Sequence, residues 1–285
     1  MDATNSLERA LQLLELIEQT PGGMTNAEIS RALEIPKSSC SWILARLARK
    51  GYVSRDPVSA RYRIGLTTVA LAYGALRDLG LRSIAEPALY QLASETGLSA
   101  SIGVLERGRV LLVDRVESRE FMDDIVRVAE AGGRKMREAV RRREQRDIGR
   151  ELPAHSNALG KVLLAWLDQP QLMAIIEEQG LRRSTPKTIT SPNRLIHELE
   201  TVKTLGYSTS YEEQYPGICA VGAPVFDADG AVNAAVSVTG SPAAAPWDEP
   251  EELVSRVKAA AAAISNRARF RQARITSSPG SENRP

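Results

Sequence analysis

The sequence predicts an α+β chain in two parts: an N-terminal winged helix-turn-helix and a larger domain whose mixed or antiparallel sheet is flanked by helices. Three observations carry this reading. The stretch Met24–Gly65 runs as capped helix, short connection, second helix and basic hairpin. Its positive charge far exceeds that of the whole chain. From Leu81 onward, strand-like and helical segments follow one another in the manner of an α+β domain.

Taken in order, Asn5-Ser6-Leu7-Glu8 resembles a helix-capping box, and Leu7, Ala10, Leu11, Leu14 and Ile17 recur at helical spacing. This apolar stripe is expected to pack on the two helices that follow, and Pro21-Gly22-Gly23 stops the helix. Thr25 and Glu28 form a second capping box, after which Ile29, Ala32 and Leu33 share one face. Pro36 suits the first turn of the next helix, which turns Ile43, Leu44 and Leu47 to a core and ends at Gly51. Tyr52–Arg55 and Arg61–Ile64 then alternate like two strands around a turn at Asp56–Ala60. Helix, turn, helix and basic hairpin is the pattern that enters DNA grooves.

From Pro36 to Gly65, seven basic residues (Lys37, Arg46, Arg49, Lys50, Arg55, Arg61, Arg63) face one acid, Asp56, a local excess of +6 in a chain of net charge +2. Such concentration is what phosphate neutralisation requires. Lys37, Ser38, Ser39, Ser41 and Arg46 on the second helix are the candidates for base or phosphate contact. Trp42 is either a backbone contact or buried against the first helix. Arg61 and Arg63 in the wing suit minor-groove or phosphate contact.

Leu66–Leu76 reads as an amphipathic helix with Leu66, Val69, Ala70 and Tyr73 on one face, serving as linker, dimerisation surface or intramolecular packing. In the second domain, helices are expected at Ile84–Thr96, Ala158–Leu167, Gln171–Gln179, Pro192–Leu205 and Glu249–Phe270. Strands are expected at Ser99–Leu105, Val110–Val116, Cys219–Phe226 and Val232–Thr239. The domain limits that result are 1–65, a linker at 66–80, 81–270, and a disordered tail at 271–285, Ser/Pro/Gly/Asn-rich from Thr276 onward.

Composition removes several classes. No apolar run approaches the roughly 20 residues of a membrane span, and the N-terminus lacks the plan of a secretory signal, so a cytoplasmic location is expected. Cys40 and Cys219 are far apart and, with His155 and His197, show no metal-ligand spacing. Neither a metal nor a cofactor is called for. There is no G-x-S-x-G, H-E-x-x-H or phosphate-cradling loop. Cys219 and His155 could pair as nucleophile and base, but no third orienting group is identifiable. No catalytic residue is assigned.

The chain resembles the IclR family of bacterial transcription regulators. The resemblance rests on SLERALQLLELI, IPKSSCSWILARLARKGYVSRD and RYRIG in the first part, and on LLVDRVES, LPAHSNALGKVLLA, TPKTIT, GYSTSYEEQYPGI and APVFDADGAVNAAVSVTG in the second. It implies a winged helix, a linker helix, a C-terminal effector-binding domain of GAF-like fold, and homodimers or homotetramers on double-stranded operator DNA. One departure is an Arg-rich excursion at about 128–145, read as an exposed segment or as an extra phosphate- or partner-contacting arm.

For the effector, Ser156 or Asn157 is the expected cap of a helix opening Ala158-Leu159-Gly160-Lys161, whose amides offer a seat for a carboxylate. Ser237 and Thr239, two apart on a strand, present both hydroxyls to one face. The resemblance closes this pocket with the strand around Ser210–Glu213, Glu212 included, and with Cys219 and Ala220. The expected ligand is a small organic acid, aromatic and keto acids among the candidates. The alternatives are a C-terminal domain that only oligomerises, and a catalytic one.

Overall fold

The computed structural model describes residues 6–118 and 149–276; the Arg-rich stretch at 128–145 and the tail beyond Thr276 lie outside the described residues. The chain divides into two compact units, residues 1–79 and 80–285.

The first unit runs α1 (Ser6–Glu18), α2 (Asn26–Ala32), α3 (Lys37–Arg49), β1 (Val53–Arg55), β2 (Tyr62–Ile64) and α4 (Leu66–Leu79). The Thr25 hydroxyl accepts from the Glu28 amide while Glu28 accepts from the Thr25 amide, a reciprocal cap that satisfies two otherwise unpaired donors. Leu13, Ile17, Ile29, Cys40, Ile43, Leu44 and Val53 close into one core. Each fully buried Leu or Ile contributes about 1.5–3 kcal/mol by leaving water. Of the apolar stripe expected on α1, Ile17 is buried, Ala10 and Leu14 are half-buried, and Leu7 and Leu11 are exposed, while Leu13, outside that stripe, is fully buried. The core-facing side of α1 is therefore turned from the expected stripe toward Leu13. On α4, Leu66, Val69 and Leu71 are likewise exposed.

The wing is tied down from behind. Met24 and Tyr62 exchange two backbone hydrogen bonds, of 3.0 and 2.7 Å, so the segment before α2 acts as a third short strand. Gly23 makes this possible: it has φ +78°, and a Cβ there would sit 2.3 Å from the Tyr62 carbonyl oxygen.

The second unit contains α5 (Leu81–Thr96), β3 (Ser99–Glu106), β4 (Arg109–Val116), β5 (Glu151–Pro153), a 3₁₀ turn at Ala154–Ser156, α6 (Ala158–Ala165), α7 (Gln169–Gln179), α8 (Pro192–Leu205), β6 (Ser208–Tyr211), β7 (Cys219–Phe226), β8 (Val232–Gly240) and α9 (Glu251–Thr276). Its strands form one antiparallel sheet in the order β5-β4-β3-β8-β7-β6. Helix α6 lies on one face, and α5 and α9 on the other. With both faces covered, β7 reads as a nearly unbroken apolar run instead of an alternation. β5 has no apolar periodicity and was not expected from sequence. Helix α9 continues to Thr276, beyond Phe270, because Arg271–Ile275 holds no breaker; residues 271–276, expected in the tail, are helical.

Candidate functional site

Two surfaces collect the residues singled out in the sequence. The first is the exposed side of α3. Lys37, Ser38, Ser41, Trp42, Arg46 and Arg49 are exposed there and Ser39 half-buried, while Cys40, Ile43 and Leu44 on the other side fill the core. Trp42 is 51% exposed, so it does not pack beneath α1. Its ring carries the Arg46 guanidinium at 3.9 Å. Ser41 has a structural task as well: Asn26 Nδ2 donates to its hydroxyl at 2.6 Å, tying the start of α2 to α3.

The wing arginines part ways. Arg61 forms a two-toothed ion pair with Glu28 (3.1 and 3.0 Å) and donates to the Gly23 carbonyl at 2.7 Å. Thr25 and Arg61 together hold the Glu28 carboxyl below its usual range. Arg61 is therefore engaged inside the unit as a strut between α2 and the wing. Arg63 is exposed and makes one long bond, 3.4 Å, to the Gly22 carbonyl. In the turn between β1 and β2, Asp56 accepts from the amides of Val58 and Ser59 and from the Ser59 hydroxyl, which lowers its own pKa and holds the wing tip in shape.

The second surface is a cavity of about 60 Å³ between α6 and the sheet. Its floor follows from strand register. Ser101 pairs with both Arg115 and Ser237, Ser237 with Gly222, and Gly222 with Ser208, giving one row across five strands. The next row, two residues along, is Ser99, Thr239, Ala220 and Ser210. Side chains two apart on a strand share a face, so both rows point toward α6. Gly222 lets that helix approach, since a Cβ would meet the Ala158 backbone at 3.1 Å. Ser208 donates to the Ala158 carbonyl at 2.7 Å and Ser210 to the Ser156 carbonyl at 3.3 Å, fixing the start of α6 over the rows.

Of the residues expected here, Asn157, Ala158, Leu159, Ser210, Ala220, Ser237 and Thr239 line the cavity. Gly160, Glu212 and Cys219 do not. Asn157 is the cap, and its Oδ1 takes the Gly160 amide at 2.9 Å, so that amide is not an open seat for an anion. Gly160 instead permits close packing: a Cβ there would lie 2.1 Å from the Ala154 carbonyl oxygen. Glu212, at φ +55°, is held by Lys187 at 2.5 Å and by the Gly217 amide at 2.6 Å, which lower its pKa. Cys219 precedes Ala220, and the alternation of β7 turns it to the opposite face. Burial pushes its thiol up to about 11, far from thiolate chemistry.

The sequence reading missed Ser101, Arg115, Arg150 and the wall formed by Gln214, Tyr215 and Ile218. Arg115 is ion-paired with Glu117 at 3.0 Å and its side chain is 6% exposed. Arg150 donates to the Tyr215 hydroxyl at 2.6 Å. The serine register was the only available signal for Ser101; nothing local marked the arginines. On α6, Lys161 is fully buried and paired with Glu198 (2.8 Å) and Glu213 (2.7 Å). This triad joins α6, α8 and the segment that carries the Gln214–Tyr215 wall.

His155 lies elsewhere, at a separate cavity with Arg109, Leu164 and Ile175, where Nε2 donates to the Arg182 carbonyl at 3.1 Å. Burial lowers its pKa. It does not line the cavity that Ser237 and Thr239 form, and Cys219 is on the far face of the sheet from it. Among the described residues, no group of three or more His, Cys, Asp or Glu could hold a metal ion, and no helix is long and apolar enough to cross a membrane.

Comparison with known proteins matches these two units to two family models. The IclR helix-turn-helix domain matches residues 6–57, and the bacterial transcriptional regulator IclR C-terminal domain matches residues 73–266. The chain is 28% identical to the HTH-type transcriptional regulator XynR of Escherichia coli over 239 residues, 84% of this chain and 87% of the relative. The IclR of Thermotoga maritima is similar in structure, with a TM-score of 0.68 at 26% identity over 93% of this chain and 99% of that one. An IclR homolog of Microbacterium hydrocarbonoxydans, solved with 4-hydroxybenzoate, has a TM-score of 0.76 at 22% identity over 93% of this chain and 100% of that one. With a capped helix-turn-helix, an antiparallel sheet between helices, and family models that together span residues 6 to 266 but for a short gap, the chain belongs to the IclR family of bacterial transcriptional regulators.

Proposed function

We propose that the chain is a cytoplasmic, effector-responsive regulator. It binds double-stranded operator DNA as a homodimer or homotetramer through the exposed side of α3 and the wing, and it takes a small organic acid in the cavity beneath α6. The observation that carries the reading is the pair of hydroxyl rows meeting the capped start of α6, with cationic side chains on the lining and no carboxylate among its described residues. Hydroxyls and guanidinium groups in a largely water-excluded cleft select an anion. The structural relative holding 4-hydroxybenzoate supports the acid class without naming this chain's ligand. Helix α4 joins the units in sequence and is the covalent route by which binding in one would alter the other. The exposed apolar side chains of α1 and α4 support self-association of the DNA-reading part.

The test is calorimetric titration with a panel of small carboxylates, coupled to operator affinity with and without each acid. A saturable binder that changes operator affinity, and that Ser237→Val abolishes, supports the reading. Saturable self-association with no acid effect on operator binding would instead favour a domain that only oligomerises.

A further inference from the structure

The cavity at His155 has a volume of about 260 Å³ and opens where the β3–β4 turn, the 3₁₀ turn, α6, α7 and α8 meet. It shares no lining residue with the cavity that Ser237 and Thr239 form. We infer that it is a second binding site, for a small neutral phenol whose hydroxyl donates to His155. Its walls are held in place from several elements. Gly108, at φ +74°, brings the β3–β4 turn onto α7, where a Cβ would meet Ile175 at 3.0 Å and Gln179 at 3.1 Å. Gln179 Nε2 donates to the Arg107 carbonyl at 3.2 Å and secures that turn. Leu164, Ile175, Ile176, Leu181 and Leu195 supply the hydrocarbon, all of them part of the main core cluster or packed on it. Packed interiors leave few voids larger than a water molecule, and this one is several times that size. An apolar cavity of about 150 Å³ takes benzene, so about 260 Å³ takes an aromatic ring with about four further heavy atoms.

His155 decides what such a guest must offer. The residue is buried, and its Nε2 meets the Arg182 carbonyl at 3.1 Å. A carbonyl only accepts, so Nε2 carries the proton and Nδ1 is the acceptor of the neutral ring. Burial, with the Arg109 charge behind it, lowers the pKa and keeps the ring neutral at pH 7. An acceptor set among hydrocarbon walls is matched by an apolar body with one O–H. The cations do not select an anion here. Arg109 faces the Glu151 carboxylate at 3.0 Å, and Arg182 is exposed and gives His155 its carbonyl. A carboxylate would give up water for hydrocarbon and compete with Glu151 for Arg109.

The experiment is calorimetric titration of the full chain with 4-propylphenol, its methyl ether 4-propylanisole, and 4-propylbenzoate. The phenol should bind about three- to tenfold more tightly than the ether, the range that one neutral hydrogen bond supplies. The benzoate should not displace it at equal concentration. His155→Phe keeps a ring and removes the acceptor, and it should bring phenol and ether within about twofold. Ile175→Trp fills the hollow and should weaken both by about tenfold or more. Both variants are checked for folding by circular dichroism, and the comparison of phenol with ether in the native chain needs neither. Absence of phenol binding, an ether that binds as tightly, or displacement by the benzoate overturns the inference. So does a gap that survives His155→Phe, binding indifferent to Ile175→Trp, or phenol binding lost in a folded Ser237→Val chain. Because the two cavities share no lining residue, the acid-binding reading stands or falls by its own titration.

Discussion

The Arg46 guanidinium lies 3.9 Å from the centroid of the Trp42 ring, one turn away on the exposed side of α3. The contact holds a flexible cation over a rigid aromatic, so in the DNA-reading role proposed for this side of α3 less side-chain freedom is lost on binding. An exposed stack of this kind is worth about 0.5–1 kcal/mol. Trp42→Ala and Arg46→Ala are therefore expected to be non-additive in operator affinity. A double-mutant cycle by fluorescence anisotropy measures the coupling, and strict additivity would show that the stack is incidental to recognition.

Arg61 and Arg63 are two residues apart and are expected to fail differently. Arg61→Gln breaks the Glu28 pair and the bond to Gly23, so it should lower the urea midpoint of the DNA-binding unit. Arg63→Gln should leave the midpoint in place and reduce the slope of log affinity against log salt by about one. The reverse assignment in a salt titration would place Arg61 on phosphate.

Lys161→Met leaves Glu198 and Glu213 without their buried cation, and a loss of about 3–5 kcal/mol is expected. Burial already pushes the Glu213 carboxyl up, with Lys161 opposing it. Adding Glu213→Gln to Lys161→Met removes the more buried of the two uncompensated carboxylates and should restore part of the stability in chemical denaturation.

His155 has a pKa below its ordinary value of 6.5 because burial disfavours the imidazolium. The folded state stays neutral where the unfolded chain takes up a proton. The contribution is thus full above pH 6.5 and is lost as pH falls through the lower folded value. Denaturation midpoints should decline below pH 6.5 more steeply for the native chain than for His155→Gln. Parallel profiles would remove His155 from the account.

Gly160→Ala places a methyl against the Ala154 carbonyl oxygen, in backbone that cannot step aside. The C-terminal unit should melt at lower temperature, and ligand affinity, measured below that melt, should fall only through displacement of Asn157. Unchanged melting would mean that the 3₁₀ turn yields.

Much of the fold was legible because its signals are local. Thr25 with Glu28, Gly97 after α5, Pro192 at the start of α8, and Asp227 with Gly230 between β7 and β8 each mark a boundary by their own hydrogen bonds or backbone angles. The site was legible in part. Ser237 and Thr239 announce a shared face by their spacing alone, and Asn157 announces a cap. Gly160, Glu212 and Cys219 carried the right chemistry in the right neighbourhood, yet side-chain direction and prior partners take them out of the cavity.

By itself, then, the sequence determined the order of elements, the charged face of α3 and the polar stripe of β8, because these depend on residues within a few positions of one another. Tertiary structure alone decided that Arg61 braces Glu28 while Arg63 stays exposed. It also decided that Ser101 and Ser210 align with Ser237 and Thr239, and that Arg115 and Arg150 bound the same cavity. The Arg61–Glu28 pair depends on the wing folding back onto α2, and the alignment of the serines on strand register across the sheet; both link residues from tens to more than a hundred positions apart, which no local pattern encodes.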